Sequence, residues 1–122
     1  MRWRGGLVFD EPLLFALHLS YLWLCVSFTL LAFHALGDVI SNAQVVHAMG
    51  AGAIGTTTMI VMMRALLGHT GRAITANRAD RLMLLFVHVG AALRVGADAL
   101  YGSPMLIHGG GVFWMLGFGL LF

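Results

Sequence analysis

No lysine occurs in this chain; every fixed cation is one of seven arginines. Charged residues make up only 10% of the 122 positions, and there is one cysteine. Each shortage excludes something. A charged fraction well below the usual quarter leaves too little polar surface for a soluble fold of this size. Cys25, being single, forms no disulfide within the chain and no CxxC redox or zinc motif. The arginines do not cluster on one basic face, so a sequence pI of about 9.3 gives no reason to invoke nucleic acid. An enzyme nucleophile, a phosphate-binding loop and a carboxylate pair are also missing, and nothing in the sequence marks an enzyme.

What the chain has instead is apolar length. Hydrophobic residues make up 60% of it, and a helix crossing a bilayer needs roughly 20 of them in succession. Four such stretches predict an all-α integral membrane bundle of four transmembrane helices with short loops. They form a single transmembrane domain over residues 1–122, with spans at about 13–36, 42–67, 82–101 and 105–122. The first run is too long for a signal-peptide core and is read as a retained helix. Arg2 and Arg4 precede span one, and Arg64, Arg72, Arg78 and Arg81 surround the second loop, while the turns at 37–41 and 102–104 contain none. By the positive-inside rule both termini and the 68–80 loop face the cytoplasm. The partners this implies are the lipid bilayer and other membrane helices or a second copy of the chain.

Span two differs from the bulky span one. Ala48, Gly50, Ala51, Gly52, Ala53 and Gly55 crowd into two turns and make the small-residue ridges Ala48/Gly52 and Ala51/Gly55. Such ridges let a neighbouring helix, or a flat cofactor, approach the backbone. Span three carries Arg94 and Asp98 four residues apart, which predicts an ion pair on one face; the arginine could equally face an anionic group such as a cofactor carboxylate. Met59, Met62 and Met63 lack a copper-type repeat and read as core filler. Thr56, Thr57 and Thr58 are expected to bond back to their own helix.

Six histidines are the chemically suggestive set, because ionisable groups within spans are expensive. Counting turns sorts them by depth. His34, His47 and His108 fall near the extracytoplasmic boundary; His18 and His88 fall about 8–10 Å inside the cytoplasmic one; His69 lies in the cytoplasmic loop, between Gly68 and Gly71, both of which permit left-handed turns. No HxxxH or HxH pair exists, so a metal site has to be assembled between helices. His47 and His69 are roughly 33 Å apart along their helix and serve different sites.

His47-Ala48, then Gly52-Ala53-Ile54-Gly55-Thr56, then Met63-Arg64 and Leu67-Gly68-His69-Thr70-Gly71-Arg72 resemble the signature of the NnrS family. These are bacterial inner-membrane proteins containing haem and copper and associated with nitric oxide metabolism and stress. The segment from Leu17 to Trp23 is similar to the family's preceding span and Leu93-Arg94-Val95 to the following one, while Thr57 stands where relatives carry a methionine. The resemblance is to the C-terminal third of longer members. It implies a haem protein of the inner membrane, with copper as a second metal, linked to nitric oxide response or metabolism and denitrification. The candidate ligands it implies here are His18, His47, His69 and His88, with Arg64 or Arg94 to neutralise haem propionates. Two alternatives stay open: a non-catalytic subunit that packs against other membrane helices, and a proton or solute pathway through the histidines, Arg94 and Asp98.

Overall fold

The computed structural model describes residues 11–37, 40–100 and 102–121. Arg2, Arg4, Asp38, Tyr101 and Phe122, which carry part of the topology and boundary expectations, lie outside them. Four helices follow one another: α1 (Pro12–Leu36), α2 (Asn42–His69), α3 (Arg78–Ala99) and α4 (Pro104–Gly119). The described residues contain no strand. Three helices, α1, α2 and α3, are long and apolar enough to cross a membrane. α4 has 16 residues, about 24 Å of helix against a hydrocarbon core of about 30 Å. Outward-facing Leu22, Phe28, Phe33, Ile54, Val61 and Met115 give the bundle an apolar exterior, as a lipid surrounding requires.

The helix starts follow from local chemistry. Pro12 and Pro104 sit in the first turns of α1 and α4, where a missing N–H costs nothing. Ser41 with Gln44, and Asn77 with Asp80, form reciprocal capping boxes that open α2 and α3. The second box extends α3 four residues ahead of the apolar run, to Arg78, so His88 is the eleventh of 22 residues, in the middle of its helix. α2 likewise runs through His69, which is its last residue and exposed, so His69 is not in the loop. Gly71 alone of the two flanking glycines is left-handed (φ 67°); Gly68 stays helical.

The middle of α2, Ala48–Gly55, is a π-helix. Wide turns of this kind are rare and occur at functional sites more often than elsewhere. Here they occupy the glycine- and alanine-rich segment, and large rings fill the space its missing side chains leave. Trp23 of α1 lies on Gly52, where a Cβ would stand 2.6 Å from the ring; Trp114 of α4 lies by Gly55, where a Cβ would be 3.1 Å from it. The two small-residue ridges thus receive one tryptophan from each flanking helix. Thr56 closes the segment: its hydroxyl reaches the Gly52 carbonyl and Ser20 Oγ, while the Ser20 hydroxyl donates to Ala16 O at 3.0 Å.

α1 packs on α2, α2 on α3, and α3 on α4. One core cluster joins Leu13 and Ala16 to Met59, Ile60, Met63 and Val87. Met59 and Met63 are core as expected, whereas Met62 faces outward. The α3/α4 contact is backbone to backbone. A Cβ on Gly90 would stand 2.8 Å from Gly110 O and Trp114 N, and one on Gly117 would stand 2.3 Å from Val87 Cγ2. This chain of pairwise packings leaves two clefts on opposite faces of α3, one toward α1 and one shared with α2 and α4.

Candidate functional site

The α1/α3 cleft consists of two cavities, of about 340 and 220 Å³, that share Leu19 and His88. The larger is walled by Leu22, Trp23 and Val26 of α1 and by Val89 and Ala92 of α3. The smaller runs two turns the other way along α3, to Arg81. His88 is buried. Its Nδ1 lies 2.8 Å from the Leu84 carbonyl, and since a carbonyl only accepts, Nδ1 carries the proton. Nε2 is then the lone-pair nitrogen of the neutral ring, and it is buried without a hydrogen-bond partner among the described residues. An orphaned imidazole nitrogen on a residue that lines an apolar cleft demands an explanation. Metal coordination would supply one, with the backbone bond fixing tautomer and ring orientation.

The other candidates are placed differently. His18 is half-buried and makes the same tie, Nδ1 to Leu14 O at 2.8 Å, but lines neither cavity of the α1/α3 cleft. His34 donates from Nδ1 to Ile40 O at 2.6 Å, a loop clasp. His69, His108 and Arg64 are exposed. His47 Nδ1 lies 3.3 Å from Asp98 Oδ2, close but not hydrogen-bonded, so that both atoms are buried without a hydrogen-bond partner among the described residues, and Arg94 Nη1 lies 3.4 Å from Oδ1 of the same carboxylate. The expected Arg94–Asp98 pair is therefore present, with His47 of α2 as a third member. Among the described residues no three His, Cys, Asp or Glu side chains converge as a metal site requires. The described side chains therefore do not form a copper centre of three or more such ligands.

Arg94 faces the other cleft. With Trp114 and Gly50, Gly90, Gly110 and Gly111 it lines a cavity of about 320 Å³ between α2, α3 and α4. It cannot serve a group held at His88 across the body of α3. The cation on the His88 face is Arg81, seven residues or about 10 Å away along the helix. Sequence reasoning assigned Arg81 to topology alone; the missed signal is its seven-residue spacing from His88, which puts both on one helical face.

Asp98 holds its two neighbours in a partly buried setting, with 14% of its side chain exposed. Asp98→Asn is expected to destabilise the protein in detergent by on the order of 3 kcal/mol, the cost of leaving Arg94 unpaired. Adding Arg94→Gln should recover most of that loss, as a double-mutant cycle on thermal unfolding will read.

The NnrS family model (NnrS protein) matches residues 1–122, the whole chain. The chain belongs to the NnrS family. Neither the search of curated proteins nor that of solved structures gave a match. Family membership and the three long apolar helices agree on a membrane protein.

Proposed function

We propose that this NnrS-family chain binds haem within the membrane through His88, in a role linked to nitric oxide response or metabolism. The supporting observation is the buried Nε2 of His88, unpartnered among the described residues and unprotonated in the neutral ring, on a residue that lines both cavities of the cleft. The residues fit the group. Leu19, Leu22, Val26 and Val89 offer apolar walls to a flat macrocycle, and Trp23 a ring face. Arg81 stands toward the end of α3 that the arginine distribution assigns to the cytoplasm, where propionates can meet a cation and water.

Haem supplies a redox-active iron able to take a diatomic ligand. The protein's part is to hold and shield it. The Leu84 carbonyl orients the imidazole, and the α1 side chains exclude water from that face. The arginine distribution supports an inner-membrane arrangement with both termini and the 68–80 loop cytoplasmic. Copper has no multidentate site among the described side chains, so the reading rests on haem.

Purified chain in detergent, supplied with haem, should show a Soret band that shifts when nitric oxide is added to the ferrous form. Arg81→Gln should weaken haem binding about tenfold, or 1.4 kcal/mol, at unchanged band position. A chain that shows no Soret band would leave the non-catalytic packing subunit as the better reading.

A further inference from the structure

The cavity between α2, α3 and α4 is not used by the haem reading, and its walls have a consistent chemistry. Its one charged side chain, Arg94, is a pure donor, and the Trp114 indole gives it an aromatic wall. Trp114 Nε1 is covered and lies by Gly55, outside the lining, so the guanidinium is the donor the cavity offers. Arg94 spends one of its five N–H groups on Asp98, at 3.4 Å.

The glycines of the lining fall into two kinds. Gly90 and Gly110 are required by the fold, because a Cβ on either would run into the backbone of the opposite helix. Gly50 and Gly111 are not: a Cβ on either has nothing within 4 Å. These two lie in helical segments, where glycine is disfavoured, and packing within this chain does not demand them. What they do is keep the cavity open and its walls flat.

Charge selects among ligands that could enter. The Arg94 guanidinium is already paired with the Asp98 carboxylate at 3.4 Å, one charge against one. A carboxylate or phosphate would bring an uncompensated negative charge into a low-dielectric site. A carbonyl oxygen accepts the same hydrogen bonds and brings none. A bilayer ligand that is planar, uncharged, carbonyl-bearing and attached to an apolar tail is a quinone. We propose that the α2/α3/α4 cavity binds a quinone head group, whose carbonyl oxygen accepts from Arg94 and whose ring lies against the Trp114 indole. This site lies on the face of α3 opposite the His88 cleft and is independent of it.

The test is a titration of the full chain in phosphatidylcholine nanodiscs with a decyl-chain ubiquinone, following tryptophan fluorescence. Trp114 in the cavity wall is the reporter. A saturable quench is expected above the linear background that partitioning of quinone into the bilayer produces. Gly111→Leu, which fills the open space from α4, should weaken the saturable part at least tenfold, and Gly50→Leu should do the same from α2. Helical circular dichroism identifies a variant that fails to fold, in which case the other decides. In both variants the Soret band of haem-supplied protein should persist. Linear quenching alone would overturn the proposal, as would saturation unchanged in the folded leucine variants. Saturation by decanoate in place of the quinone would show an anion site and overturn it equally. Loss of the Soret band in folded leucine variants would contradict the separation of the two clefts.

Discussion

Replacing His88 by glycine should abolish the Soret band of the haem-supplied protein, and imidazole added in solution should bring it back. The expected loss of haem affinity is at least a hundredfold, about 2.7 kcal/mol. The reasoning is local. Two histidines have a buried ring nitrogen without a hydrogen-bond partner among the described residues, but His47 Nδ1 has the Asp98 carboxylate 3.3 Å away, whereas His88 lines the cleft with its Nδ1–H tied to Leu84 O at 2.8 Å. The mutation removes the ligand nitrogen and leaves a space of imidazole size in the cleft that Leu19, Trp23 and Val26 wall off. Rescue by imidazole separates ligation from folding, since a collapsed cleft would admit neither imidazole nor haem. A His88→Gly protein that keeps its band without imidazole would place the iron elsewhere.

The second large effect concerns the backbone contact between α3 and α4. Gly90→Ala should lower stability by about 2 kcal/mol. Its new methyl would stand 2.8 Å from Gly110 O and from Trp114 N, and backbone atoms move only when the helix moves, so the overpacking cost is about 1–3 kcal/mol. Gly111→Ala, at the residue next to Gly110 and with nothing within 4 Å of its Cβ, should instead gain up to about 1 kcal/mol from helix propensity. Thermal unfolding of the two variants side by side, read by circular dichroism, checks the sign difference. Equal destabilisation by both would show that these glycines are needed for a reason other than the α3/α4 backbone contact.

Much of the architecture is legible in the residues alone because the bilayer imposes it. Apolar runs of sufficient length, Pro12 before the first and the Gly37 and Gly102 turns between others leave little freedom beyond four helices. The polar caps are less visible. The Asn77 and Asp80 box belongs to α3 although its residues look like loop, and it moves His88 to mid-helix. The π-helix at Ala48–Gly55 has no periodicity signal of its own; small residues allow it, and only the tryptophans packed at Gly52 and Gly55 account for its place.

The site shows the same division. That Arg94 and Asp98 would pair follows from their spacing on one helix, and the pair is present. That His47 joins them depends on how α2 lies against α3, which no spacing within either helix encodes. Depth counting grouped His18 with His88, since depth is all that residue number reports along a helix. Their azimuths differ: His88 faces the cleft, and His18 does not line it. Arg81 was hidden for the opposite reason, because its role in topology was sufficient to explain it.

The most direct test is a haem titration of the six single histidine-to-alanine variants in detergent, scored by Soret absorbance at saturation. The expected result is loss of the band in His88→Ala, with the other five, at positions 18, 34, 47, 69 and 108, retaining it. A band that survives in His88→Ala, or that disappears on replacement of His47 or His69 instead, would contradict the assignment of the site to the α1/α3 cleft.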